Sequence, residues 1–171
     1  VQLQPIFSAN PKMACGILPR RNISHSLMPP TLKNFGLESA ATDLFQKISA
    51  SGSLNASARF HDYRIRLKVE QELLVFRIIQ ELVNNILKHS NPCFIHLTQN
   101  ISANKIYFRI HHDGTGIVQT DFEKLNHSTQ GLGLKNIASR IKVLTGRIFV
   151  EIDPSKTYYK VTIEIPREPA I

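Results

Sequence analysis

The sequence predicts an α+β fold in two layers, with a mixed, mainly antiparallel sheet that carries helices on one face. Five segments have the alternating hydrophobicity of strands, and segments of helical period lie between them. Four of these strands form two pairs joined by short turns, as in antiparallel hairpins. With 171 residues and 42% hydrophobic residues, the chain can bury a core of its own.

The elements follow in order along the chain. Three prolines and a glycine break residues 1–20, which are predicted to be an irregular leader. Between Arg21 and Ser53, apolar residues from Ala40 to Ile48 recur at helical spacing and predict a helix that ends near Gly52. The other predicted elements are a strand Ala58–Arg66, a helix Leu67–His89 stopped by Asn91-Pro92, strands Cys93–Gln99 and Lys105–His112 around a turn Asn100–Asn104, a helix Lys135–Leu144, and strands Arg147–Ile152 and Tyr158–Ile165.

The long helix has a polar face near its end. Glu81, Asn85 and Lys88 (or His89) follow at spacings of four and then three or four, so they share one side of the helix. A carboxylate, an amide oxygen and an ammonium group can hold Mg²⁺ together with phosphate; taken alone, they also fit a solvated helix face. The opposing apolar stripe consists of Leu73, Phe76, Ile79, Val83 and Ile86.

Two glycine motifs follow the polar helix. Asp113-Gly114-Thr115-Gly116 ends a strand-like run, and Gly131-Leu132-Gly133-Leu134 opens a helix-like run. Glycine lets the backbone approach a ligand closely, although ordinary turns use glycine as well. Together and in this order, the three motifs resemble the asparagine box and the two glycine boxes in the ATP-binding domain of sensor histidine kinases. The resemblance runs from about Arg21 to about Pro166.

This resemblance implies a fold shared with gyrase-type topoisomerases and mismatch-repair ATPases, with ATP and Mg²⁺ as cofactors. It implies that Asn85 binds the metal and that Glu81 is the catalytic residue, which holds the metal or orients water near the γ-phosphate. Lys88 and His89 would contact phosphate, the first glycine box would pass beneath adenine and ribose, and the second would receive phosphates. The implied nucleotide-binding residues are Asn84, Asn85, Lys88, His89, His112, Asp113, Gly114, Gly116, Gly131, Leu132, Gly133 and Leu134.

The segment before the long helix adds a subfamily signature. Leu27, Pro29, Leu32 and Gly36-Leu37 resemble the junction between dimerisation helices and ATPase domain in nitrate-sensor-like kinases. The resemblance divides the chain into a leader (1–20), the end of the dimerisation region with a connecting helix (21–53), and the ATP-binding catalytic domain (54–171). His25 lacks the acidic neighbour of a phosphoacceptor, because Ser26 follows it. The phosphoacceptor histidine is therefore expected outside this segment, and the fragment is not expected to phosphorylate itself.

One position departs from the family pattern. Aligning Gly114 and Gly116 places His112 where the family has an aspartate that accepts a hydrogen bond from the adenine amino group. Asp113 comes one residue later and points to the other side of the strand. A neutral imidazole has one acceptor nitrogen and can take the role, or it can fill the pocket. The alternatives to a kinase domain are a degenerate ATPase-like scaffold module and, more weakly, an anti-sigma-type serine kinase.

The composition indicates which classes of partner to expect. The net charge of +8 and pI of about 9.7 favour anionic partners, but no DNA-reading or RNA-binding pattern is present, so no nucleic acid is expected. Cys15 and Cys93 have no metal-type spacing and are expected to be free thiols. No apolar run spans a bilayer and no signal peptide opens the chain, so we expect a cytoplasmic domain that reaches a membrane only through segments absent here. The resemblance adds a response regulator as partner and a homodimer in the full-length parent.

Overall fold

The computed structural model describes residues 28–52, 54–61, 67–116, 118–120, 122–123, 132–155 and 157–167. These residues form five strands and three long helices. The predicted leader, His25 and Gly131 lie outside the described residues. The elements are α1 (Pro30–Ser49), β1 (Asn55–Phe60), α2 (Val69–His89), β2 (Phe94–Ser102), β3 (Lys105–His112), α3 (Leu132–Val143), β4 (Arg147–Ile152) and β5 (Tyr159–Pro166).

The five strands form one mixed sheet in the order β1-β2-β3-β5-β4. β1 pairs with β2 in parallel, and α2 makes the crossover between them. The other three pairings are antiparallel. This confirms the predicted α+β sandwich with a mainly antiparallel sheet.

One face of the sheet is buried against the helices. In β3 and along most of β2 every second residue is buried, as the alternation in the sequence predicts. Full burial of one such side chain contributes about 1.5–3 kcal/mol, and a slip of one residue would expose them all, so this face fixes the register. The sheet contributes Ile95, Leu97, Ile106, Phe108, Ile110, Val161, Ile163 and Ile165 to the core, and α2 contributes Val75, Ile78, Ile79 and Val83.

Several predicted bounds differ from the structure, and the largest differences concern β1, the turn between β2 and β3, and the beginning of α3. The first strand is Asn55–Phe60 and begins before the predicted Ala58, because pairing with β2 from Asn55↔Phe94 onward fixes it, and small alanines give little alternation to read. Residues 62–66 of the predicted strand lie outside the described residues. The predicted turn Asn100–Asn104 shrinks to two residues, since the ladder with β3 continues to Ser102↔Lys105. α3 begins at Leu132 instead of Lys135, so the described part of the second glycine box, from Leu132 to Leu134, lies in the first turn of the helix.

Helix α1 breaks at Gly36, whose φ of 82° lies in the left-handed region that favours glycine. The Leu37 N–H beyond the break donates to the Glu72 carboxylate of α2 at 3.3 Å. Buried side chains of α1, among them Leu37, Ala41 and Phe45, belong to the same core as α2 and the sheet. The domain boundary after residue 53 stays a prediction. Within the described part of the chain, no helix is both long enough and apolar enough to cross a membrane.

Candidate functional site

The last turns of α2 carry the predicted polar face. Glu81 and Asn85 are half-buried, whereas Lys88 and His89 are exposed. Four residues of the opposing stripe (Phe76, Ile79, Val83 and Ile86) are buried, and Leu73 packs partly against the core. Because core packing uses the apolar stripe, the polar side chains remain available for a ligand.

The second glycine motif meets this face. Gly133 lies in the first turn of α3, and a Cβ there would overlap the Glu81 carboxylate. Glycine therefore lets the beginning of α3 approach the polar face of α2. The first turn of a helix presents backbone N–H groups that have no intrahelical partner and that favour anions. Leu134, in the same turn, packs partly against the core.

The first glycine motif is fixed to the end of α2. The Thr115 N–H donates to the Ser90 carbonyl at 2.8 Å, and Ser90 is the C-cap of α2. Gly114 is buried, and a Cβ there would overlap the same carbonyl group. Both described glycine motifs thus contact α2 or its exit, so the structure brings all three motifs together around the second half of that helix.

Asp113 faces away from this cluster. Its Oδ1 accepts hydrogen bonds from the backbone N–H of Cys93 at 2.8 Å and of Phe94 at 3.0 Å. The carboxylate therefore ties the end of β3 to the beginning of β2. Its direction agrees with the alternation of a strand, which places His112 on the opposite, helix-covered side.

His112 is almost fully buried, with 2% of its surface exposed. Its cross-strand partners are Ile95 and Tyr159, and its ring stacks on Tyr159 with 5.4 Å between centroids and 15° between planes. Burial lowers the pKa of His112 to about 4, while Asp113 opposes the shift and His111 adds to it. The imidazole is therefore neutral near pH 7, and its Nδ1 is buried without a hydrogen-bond partner among the described residues.

Tyr159 is a residue that the sequence analysis missed. Its ring occupies the space that a Cβ of Gly116 would take, so it lies between the backbone of Gly116 and the imidazole of His112. No local signal marks this tyrosine, because its place beside His112 depends on the register between β3 and β5. That register is a property of the folded sheet.

Asn84 and Asn85 differ in environment. Asn84 is 6% exposed, and its Oδ1 is buried with no hydrogen-bond partner in the part of the chain that is described. Buried acceptors usually have a partner, so this oxygen is available to a donor or cation. Asn85 is half-buried on the same polar side as Glu81.

The oxygen donors at this end of α2 fit Mg²⁺. Among the described residues, no group of three or more histidine, cysteine or acidic side chains is arranged to hold a metal. Mg²⁺ does not need such a group, because it keeps several waters and takes ligands from phosphates besides one or two protein oxygens. The amide of Asn85 and the carboxylate of Glu81 are oxygens of this kind.

Positively charged side chains lie on both α2 and α3. Arg77 donates to Gln80 Oε1 at 3.0 Å, and its pKa is lowered by burial and by the charge of Arg140 of α3. Lys88 adds an exposed ammonium at the end of α2. A polyanion such as a phosphate chain suits this charge.

Comparison with known families and relatives agrees with this geometry. The profile of the histidine kinase-, DNA gyrase B- and HSP90-like ATPases matches residues 70–169. Sensor histidine kinase ComP of Bacillus subtilis (strain 168) is 29% identical over 160 residues, which are 94% of this chain and 20% of that protein. The oxygen sensor histidine kinase NreB of Staphylococcus carnosus (strain TM300) is 25% identical over 162 residues, covering 92% of this chain and 45% of that protein. The chain thus spans less than half the length of these curated relatives.

Solved structures share the fold. Histidine kinase AdeS of Acinetobacter baumannii superposes with a TM-score of 0.62 at 17% identity, over 77% of this chain and 64% of that one. The catalytic domain of histidine kinase ThkA superposes with a TM-score of 0.62 at 18% identity, over 77% of this chain and 90% of that one.

Proposed function

This chain belongs to the family of histidine kinase-, DNA gyrase B- and HSP90-like ATPases, and from that premise we propose that it binds Mg-ATP and transfers the γ-phosphate to a histidine outside this segment. The observation that carries the proposal is the assembly of three separate motifs around α2. Glu81 touches Gly133, and the Gly114–Gly116 loop is bonded to Ser90. Two relatives named as sensor histidine kinases support the phosphoryl-transfer reaction.

The phosphate side of the site lies between α2 and α3. Asn85 would hold the metal through its amide oxygen, and Glu81 would orient the metal or a water beside the γ-phosphate. Lys88 and His89 are exposed at the end of α2 and would bind phosphate oxygens. The backbone N–H groups around Gly133 would receive the phosphate chain at the beginning of α3. Bound Mg²⁺ neutralises charge on the phosphate oxygens.

The base side lies at the ends of β3 and β5. Gly114 and Gly116 would pass beneath adenine and ribose, and the side chain at position 112 would face the base. His112 offers a neutral acceptor there, where a family member with an aspartate offers a charged one. A degenerate scaffold module is not favoured, because the polar face and its contact with Gly133 are intact.

The partners follow from the same proposal. The phosphohistidine would donate its phosphoryl group to a response regulator, and the parent protein would be a homodimer whose kinase domains lie in the cytoplasm. The relatives' names describe sensor kinases, which supports a response regulator as partner. The homodimer and the location are what the resemblance to the sensor kinases implies.

Calorimetric titration with a non-hydrolysable ATP analogue, with and without Mg²⁺, tests the proposal. We expect saturable binding that Mg²⁺ strengthens, with one site per chain. Failure to bind the analogue under either condition would favour the scaffold module instead.

A further inference from the structure

The ring of Tyr159 occupies a corner between two parts of the candidate base subsite, His112 and Gly116. One ring face stacks on His112, 5.4 Å from its centroid, and the ring also lies where a Cβ of Gly116 would be. His112 itself is 2% exposed, so the stack has a closed inner side. Tyr159 is only half-buried, so its outer edge reaches solvent.

These contacts show what occupies the space beside Gly116. A glycine in a loop beneath a ligand leaves room for that ligand, but here the room beside Gly116 is taken by a side chain of the protein. At Gly133, on the phosphate side, the nearest neighbours of a Cβ are atoms of Glu81 and not of Tyr159. The obstruction is therefore confined to the base side.

We propose that Tyr159 acts as a gate to the base subsite and limits how much a base adds to binding; the proposal rests on the function proposed above. In the nucleotide-free state its ring closes the corner between His112 and Gly116. Binding of a nucleotide base requires this ring to rotate away from His112 towards solvent. The phosphate chain then supplies most of the affinity, and the base adds little.

The position of Tyr159 permits this motion. It is the first residue of β5, and its backbone is held in register with His112 on one side and Ile152 on the other. Only the side chain has to move, and what it gives up is an aromatic stack. Such stacks contribute modestly beyond the area that they bury, so the gate lowers affinity without abolishing it.

Three variants test the gate. Tyr159→Ala removes the ring, Tyr159→Phe keeps it, and Tyr158→Ala is a matched control because Tyr158 is exposed and its ring lies near His111 instead. Each is titrated with Mg-ATP and with Mg-tripolyphosphate, which has no base. We expect Tyr159→Ala to bind Mg-ATP about two- to tenfold more tightly, equivalent to about 0.4–1.4 kcal/mol, with tripolyphosphate binding unchanged. The other two variants should match the wild type with both ligands.

The outcomes separate the gate from the function on which it rests. Equal or weaker Mg-ATP binding by Tyr159→Ala, with tripolyphosphate still bound, overturns the gate and leaves the phosphate site standing. Absence of binding to both ligands in every variant overturns the proposed function and the gate with it. If Tyr159→Ala fails to fold, the gate can be tested by NMR on the wild type. The signal of the His112 ring should shift when Mg-ATP displaces Tyr159. An unchanged signal at saturation contradicts the gate.

Discussion

Replacing His112 by aspartate should tighten ATP binding while weakening the nucleotide-free fold. The side chain at this position is 2% exposed. In the proposed function it faces the base. An ionised carboxylate there would accept a charge-assisted hydrogen bond from the adenine amino group, which the neutral imidazole matches only in part. A hydrogen bond of this kind is worth about 1–3 kcal/mol, so we expect about ten- to a hundredfold tighter binding of Mg-ATP.

The expected loss of stability in His112→Asp comes from the burial of the side chain at position 112. A carboxyl group at position 112 would lose the stack on Tyr159 and would lie next to the charge of Asp113. Burying a polar group without a partner costs about 1–3 kcal/mol, and we expect the free energy of unfolding of the nucleotide-free variant to fall by that amount. Mg-ATP at a hundred times its Kd restores about 2.7 kcal/mol, so the variant should be rescued by nucleotide.

Urea unfolding with and without Mg-ATP measures the two effects, and calorimetric titration with ATP and GTP measures base selectivity. His112→Asn is the matched control, because it has the size of the aspartate without its charge. The variant with aspartate should prefer ATP over GTP more strongly than the control does. If the wild type already binds ATP as tightly and as selectively as His112→Asp, another group reads the base and the alignment of the first glycine box is wrong.

Three further predictions concern the fold and the reaction. His112 has a pKa of about 4 when folded and about 6.5 when unfolded, so the unfolded chain binds more protons between these pH values. The free energy of unfolding should therefore fall by up to about 3 kcal/mol as pH drops from 6.5 to 4. Urea melts of His112→Asn over the same pH range should show a flatter dependence of stability on pH. Asp113→Ala removes two hydrogen bonds to backbone N–H groups and should lower the free energy of unfolding by about 1–3 kcal/mol in urea melts. The control Asp43→Ala, at an exposed ion pair, should lower it by less than about 1 kcal/mol. Equal losses in the two variants would contradict a structural role of Asp113. The isolated chain incubated with labelled ATP should form no acid-labile phosphohistidine, and label that disappears in His25→Gln would relocate the phosphoacceptor.

Much of the fold was predictable because its signals are local. β3 and β4 have the predicted bounds, since their apolar residues alternate regularly and turn residues flank them. The end of α2 at His89 was predicted from Asn91-Pro92. The bounds of β1 could not be predicted in this way, because its place depends on a parallel partner that lies beyond α2 in the sequence.

In the candidate site, too, local features were predicted from the sequence and contacts between distant elements were not. The shared side of Glu81 and Asn85 follows from helical spacing, and the glycines follow from the motifs. The contact between Glu81 and Gly133 joins two helices and could not be derived from spacing. The stack of Tyr159 on His112 depends on sheet register, which is why the residue that fills the base corner was missed.

The central claim is that the polar end of α2 holds Mg²⁺ and nucleotide together, and Asn85→Ala tests it most directly. Asn85 lies opposite the buried stripe, so its removal should leave the unfolding free energy within about 0.5 kcal/mol of the wild type. The matched control is Asn34→Ala, at an exposed position of α1. Titration of each protein with the ATP analogue, with and without Mg²⁺, should show that Asn85→Ala loses the strengthening by Mg²⁺ while Asn34→Ala keeps it. An Asn85→Ala variant that binds Mg-nucleotide as tightly as the wild type would contradict the account.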